Sequence, residues 1–148
     1  MARPMNYGNT MDGVSHRASR LIGRRILVVE NDDAGREALA QLLVEEGYVV
    51  DTARSGIEAL DRIDLRKPDL IVSDVQMPNG SGLELAAKLR SYAPWAEIPI
   101  VLVTAWGEPR HVPEGLEELA QSSLHKPIDF DGLLAEIESV LATRRQRA

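Results

Sequence analysis

Asp69-Leu70-Ile71-Val72-Ser73-Asp74-Val75-Gln76-Met77-Pro78 is an apolar run that closes on a carboxylate and is followed two residues later by a punctuating Met-Pro step. A run of this length, rich in Ile, Val and Leu with no polar alternation, fits a strand buried on both faces. Such strands occur in parallel sheets covered by helices on both sides, so the neighbouring segments should alternate strand with helix. They do. Upstream, Ile26-Leu27-Val28-Val29 is a second unbroken apolar run, bounded by Arg25 and Glu30. Downstream, Ile100-Val101-Leu102-Val103 is a third, ending at Thr104. Tyr48-Val49-Val50 opens a further strand, and Leu124 marks a short fifth one.

Helical patterns fill the gaps. Residues 33–46 place Ala38, Leu39, Leu42 and Leu43 on one face, with Gly47 where a helix C′ residue belongs. Ser55-Gly56-Ile57-Glu58 and Ser81-Gly82-Leu83-Glu84 have the form of capping boxes, the first opening a helix through about residue 64. Pro113 suits a helix N1 position ahead of Leu116 and Leu119. Residues 129–142 carry Phe130, Leu133, Leu134, Ile137, Val140 and Leu141 at core spacing. Five strand–helix units without an internal repeat predict an α/β fold. It is a doubly wound, five-stranded parallel sheet of the flavodoxin-like (βα)5 kind, with right-handed crossovers.

Composition narrows the classes. A chain of 148 residues with 44% hydrophobic residues suits one globular domain. No apolar run approaches the ~20 residues that span a bilayer. The absence of cysteine excludes disulfides and thiolate metal sites, and fits a reducing, cytoplasmic setting. Charge is uneven. Arg3, Arg17 and Arg20 make residues 1–23 basic, and Arg144, Arg145 and Arg147 make residues 144–148 basic. The body over 24–143 is therefore more acidic than the net charge of −6. Phosphate backbones would be repelled by it, which disfavours nucleic acid as a partner. These ranges read as a flexible leader, the folded domain and a basic tail.

Ligands of doubly wound sheets sit beyond the carboxyl ends of the strands. Glu30-Asn31-Asp32-Asp33, Asp74, Thr104 and Lys126 all fall at such ends. An ionised aspartate can attack an electrophilic phosphorus to form an acyl phosphate. Crowded carboxylates repel an incoming phosphate unless a hard cation with oxygen ligands, Mg²⁺ for preference, offsets the charge. A lysine and a hydroxyl can hold the remaining phosphoryl oxygens. Asp32 is read as the N-cap of the first helix, with metal coordination as the alternative. Asp74, at a strand end, is expected to face solvent. His16, His111 and His125 lack ligand-like spacing, and Trp106 reads as loop packing.

Ile26–Asn31, the stretch from Asp69 to Pro78 with Gly82-Leu83-Glu84-Leu85 following, Val103-Thr104-Ala105 and His125-Lys126-Pro127 resemble the receiver domain of bacterial response regulators. The resemblance covers about residues 24–142. It implies that Asp74 is the phosphoacceptor and that Glu30 and Asn31 occupy the acidic pair of a Mg²⁺ site. Gln76 would add its backbone carbonyl to that site, with Asp74 itself a ligand. Thr104 becomes the switch hydroxyl, beside small Ala105, and Lys126 the partner of the phosphoryl oxygens. It implies a histidine kinase or phosphotransfer protein as donor and a protein partner downstream, within a phosphorelay, with a homodimer left open. No output domain is expected, nor any enzyme activity beyond self-catalysed transfer to its own aspartate. Two departures stand out: Asn31 is neutral where the family usually has aspartate, and Ser123 stands where an aromatic switch residue is common. They favour the alternative of a phosphorylation-independent interaction module. An aspartyl phosphatase would need a second Asp at Gln76, and a nucleotide-binding enzyme a Gly-rich loop after the first strand. Neither pattern is present.

Overall fold

The computed structural model describes residues 23–75, 77, 82–104, 122–125 and 129–147. In chain order these form β1 (Arg25–Val29), α1 (Asp33–Glu45), β2 (Val49–Ala53), α2 (Gly56–Leu65), β3 (Leu70–Asp74) and α3 (Gly82–Ser91). A 3₁₀ turn at Ala93–Trp95 follows, then β4 (Ile100–Thr104), β5 (Ser122–His125) and α4 (Phe130–Arg147). The five strands pair in parallel in the order β2-β1-β3-β4-β5. The last helix runs five residues beyond the predicted end at 142. The helix expected around Pro113, Leu116 and Leu119, and the Ser81 half of the second capping box, lie outside the described residues.

Because successive strand residues point to opposite faces, each apolar strand feeds two cores. Ile26, Val28, Leu70, Val72, Val101 and Val103 pack with Leu39 and Leu43 of α1 and Leu133, Ile137 and Leu141 of α4. Leu27, Val29, Ile71, Ile100 and Leu102 pack with Ala59 and Ile63 of α2 and Leu85, Ala86 and Leu89 of α3. Among the described residues each face is covered by two helices, and the continuous apolar runs have their reason.

Helix ends are closed by local hydrogen bonds. Asp32 caps α1, its Oδ2 accepting from Gly35 N at 2.7 Å. At the other end Gly47 takes φ 103°, while Gly47 N–H donates to Val44 O and Tyr48 N–H to Leu43 O. That is the Schellman pattern, and Gly47 tolerates the left-handed backbone it needs. Ser55 caps α2 by accepting from Glu58 N at 3.1 Å. Glu58 returns its carboxylate to Arg54 N at 2.6 Å, one residue before the cap, so the expected box is shifted by one residue. β2 is an edge strand, and Arg62 of α2 donates Nε–H to its Thr52 carbonyl at 3.1 Å.

The first helix is turned relative to its predicted face. Leu39 and Leu43 are buried as expected, but Ala38 is exposed and Leu42 retains 39% of its surface. α1 lies over β1 and β2, at one end of the sheet, so only a narrow stripe finds a partner. Arg36 completes that stripe.

Candidate functional site

The chain runs from β1 outward to β2, then returns to the opposite side of β1 as β3. The β1/β3 junction is thus the topological switch point, where loops diverge and leave a crevice beyond the strand ends. Val29 pairs with Ser73, so Glu30 and Asp74 leave the sheet side by side. Asp74 in turn pairs with Val103, one residue before Thr104, and Thr104 pairs with His125, the residue before Lys126. Register alone brings Glu30, Asp74 and Thr104 to one rim. Lys126 and Gln76 lie outside the described residues, and Thr104 and Ser123 are located by their strand positions.

Asp74 does not face solvent: it is 7% exposed, correcting the expectation from its strand-end position. α3 starts close against its backbone. Gly82 N–H donates to Val75 O at 2.9 Å. A Cβ on Gly82 would strike the Asp74 carbonyl oxygen, and would meet Leu102 Cδ2 at 3.0 Å and Ser73 Oγ at 3.1 Å. Glycine is what lets the helix start against the strand end. Buried Ser73 donates Oγ–H to Asp74 O at 3.0 Å, and Val75 N–H donates to Val103 O at 3.0 Å. The main chain is thus held at the Asp74 carbonyl and at both polar groups of Val75.

The β1–α1 turn is equally tied down. Glu30 N–H donates to Ala53 O at 3.0 Å, and Glu30 Oε2 accepts from Asp32 N at 3.0 Å. Glu30 O accepts from Arg36 Nη1 at 3.0 Å, and Arg36 Nη2 reaches Asp33 Oδ1 at 2.6 Å. That hydrogen bond, then the Arg36 charge, with a smaller contribution from Arg54, holds the exposed Asp33 carboxyl below its ordinary value of 3.8. Asn31 is exposed at the crest of the turn. Asp32 is occupied as a cap, as read from the sequence. Arg36, 7% exposed, is the residue the sequence reading missed. Its signal was its phase: positions 36, 39 and 43 recur on one helical face, so a charge stood in a core stripe.

The described donors for a cation are the carboxylates of Glu30 and Asp74 and the Asn31 amide, hard oxygens throughout. Among the described residues no group of three or more His, Cys, Asp or Glu side chains could hold a metal ion. Two carboxylates with water completing the shell suit Mg²⁺, which usually keeps several waters and dehydrates reluctantly. The donor set fits.

A sheet of order β2-β1-β3-β4-β5 with an acidic turn and a buried aspartate at its switch point agrees with the family comparison. The family model described as response regulator receiver domain matches residues 26–138. The chain belongs to this family. The receiver domain is 41% identical over 117 residues to the response regulator MprA of Mycobacterium sp. (strain KMS) and to that of Mycobacterium avium (strain 104). Those alignments cover 79% of this chain and 50% of each relative, so the chain spans about half the length of the curated relatives it matches. The expectation of no attached output domain gains no support from them. Among solved structures, the signal receiver domain of a histidine kinase from Syntrophus aciditrophicus superposes with a TM-score of 0.75 at 35% identity, covering 85% of this chain and 95% of that one. A CheY-like receiver domain protein from Methanospirillum hungatei gives 0.77 at 27% identity, covering 85% and 99%. Among the described residues no helix of the receiver domain is long and apolar enough to cross a membrane.

Proposed function

We propose that this receiver domain accepts a phosphoryl group on Asp74 and passes the signal on through protein–protein contacts. The observation that carries the reading is the placement of Asp74: a buried carboxylate at the end of β3, in register with Glu30 on one side and next to Thr104 on the other. A carboxylate oxygen of Asp74 attacks the phosphorus of a phosphohistidine on a histidine kinase or phosphotransfer protein. The P–N bond breaks as the new P–O bond forms, and the departing imidazole nitrogen keeps the electron pair and takes up a proton. Fixing the main chain at the Asp74 carbonyl and at Val75 helps keep the attacking oxygen in line with the leaving group.

Mg²⁺, when bound, supplies the positive charge that offsets repulsion between carboxylate and phosphoryl oxygens. Glu30, Asn31, Asp74 and the Gln76 carbonyl would hold it. Lys126 and the Thr104 hydroxyl would bond the phosphoryl oxygens, Thr104 turning toward them and so altering the β4 surface. No reaction on an outside substrate is part of this reading, and its setting is the cytoplasm.

Incubation with acetyl phosphate and Mg²⁺, followed by mass spectrometry, tests the assignment. One phosphoryl group per chain is expected in the wild type and none in Asp74→Asn. Uptake by the Asn variant would refute the assigned acceptor. A second reading, an interaction module independent of phosphorylation, is favoured by the neutral, exposed Asn31. It requires that the wild type take up no phosphoryl group while still binding its partner.

A further inference from the structure

We propose that Arg36 is a positioning residue for the Mg²⁺ site, acting through the main chain of Glu30; this rests on the metal-dependent reading above. Arg36 is one of three buried polar or charged side chains, with Ser73 and Asp74, among the described residues. A buried guanidinium needs partners for its fork of donors. Nη1 donates to Glu30 O at 3.0 Å and Nη2 to Asp33 Oδ1 at 2.6 Å.

The Glu30 main chain is consequently gripped at both ends, its N–H by the Ala53 carbonyl of β2 and its C=O by Arg36. Beyond it, Asp32 N–H binds the Glu30 carboxylate, Gly35 N–H binds the Asp32 carboxylate, and Arg36 N–H binds the Asp32 carbonyl at 2.8 Å. Every one of these bonds lies within residues 30–36 of the turn. The bond to Ala53 O ties the turn to β2, and the guanidinium of Arg36, on the buried stripe of α1 with Leu39 and Leu43, ties the Glu30 carbonyl to the core side of that helix. Removing the guanidinium frees the Glu30–Asn31 peptide to rotate, and with it the direction of both prospective ligands. Groups that orient metal ligands typically change affinity by about 10–100-fold when lost.

The charge of Arg36 works in the opposite sense, which makes the proposal testable. A fixed cation at the base of the turn repels Mg²⁺, so electrostatics alone predicts tighter binding when Arg36 is removed. Positioning predicts weaker binding. Arg36→Lys separates the two again, because it keeps the charge and loses the planar fork. Isothermal titration with Mg²⁺ is the measurement, with thermal melting to establish that each variant is folded. Arg36→Ala should weaken Mg²⁺ binding by about tenfold or more and Arg36→Lys by several-fold. Asp33→Asn, which removes the exposed ion-pair partner but leaves the Glu30 carbonyl bond, should stay within about twofold of wild type. Folded Arg36→Ala binding Mg²⁺ as tightly as wild type, or more tightly, overturns the proposal. If Arg36→Ala does not fold, the Lys variant decides: wild-type affinity overturns positioning, and weakened affinity upholds it. An Asp33→Asn loss as large as that of Arg36→Ala also overturns it. A wild-type chain that binds no Mg²⁺ sinks the metal-dependent reading itself, an outcome distinct from all of these.

Discussion

Asn31 sits exposed where the family usually places a carboxylate, beside an aspartate already committed to capping α1. An amide oxygen offers the geometry of a hard ligand without its charge, so Mg²⁺ binding should be weak in the native protein. Asn31→Asp is expected to tighten it about tenfold, a gain of about 1.4 kcal/mol. Asp32→Ala should leave the affinity unchanged while costing about 1 kcal/mol of stability through the lost cap. The reverse pattern in a Mg²⁺ titration would make Asp32 the ligand. A second residue has a distinct pH signature. Burial, with Glu138 and Glu46 adding and Arg24 opposing, pushes the Tyr48 phenol up to about 12 from 10.0. A pKa raised in the folded state means that this contribution to stability is whole below pH 10 and is lost as pH rises through about 12. Ultraviolet titration should show a phenolate step near pH 12, and Tyr48→Phe should lack that step. A Tyr48 step at the ordinary tyrosine value would contradict its burial.

Among the described elements, the start of α3 shapes the Asp74 end of the site. Gly82 lets the helix abut Asp74, and no side chain fits there without displacing the Asp74 carbonyl, Leu102 and Ser73 together. Backbone and a buried strand do not yield cheaply, so Gly82→Ala should cost about 1–3 kcal/mol, as overpacked cores do. Because α3 must withdraw from Asp74, the same variant should also slow phosphoryl uptake from acetyl phosphate. Denaturant melts and the rate of uptake check the two effects. A variant as stable and as fast as wild type would mean that the approach is looser than the geometry implies. α1 shows how an element is read correctly in kind and wrongly in orientation. Its span and both caps follow from Asp32, the apolar period and Gly47. Which stripe turns inward depends on how much of the sheet lies beneath it, and that is a property of the neighbours.

For the whole molecule, the sheet separates two cores that, among the described residues, share strands but no helices. Ile63 of α2 and Ile137 of α4 are both fully buried, on opposite faces. Each Ile→Ala truncation should cost about 2–5 kcal/mol, the spread reflecting how far each cavity collapses. With the sheet between them and no shared partner, the double variant should sum the two losses to within about 0.5 kcal/mol. A larger departure in urea unfolding would show that the sheet transmits strain from one face to the other. That transmission is the physical route by which an event at Asp74 could reach a helix face.

The apolar runs, their even spacing with helical periods between them, and the carboxylate closing Asp69–Asp74 were enough to establish a doubly wound parallel sheet and the rim where its chemistry belongs. These are local signals: a period of two or 3.6 residues and a cap are readable within a few residues. The motifs around Asp74, Thr104 and Lys126 carried the family for the same reason. Three features were not decided at that range, although the phase of Arg36 already set it in the apolar stripe of α1. The burial of Asp74, and the approach of α3 to its backbone that Gly82 allows, come from how the elements pack around the strand end. The inward turn of Arg36 comes from the narrow contact of α1 with the end of the sheet, and its grip on Glu30 from the crossing of the helix back over the strand it follows. The adjacency of Glu30 and Asp74 comes from the strand order, which places sequence-distant ends side by side. Each depends on which surfaces meet after the helices pack, and periodicity says that a face is apolar without saying what lies opposite it.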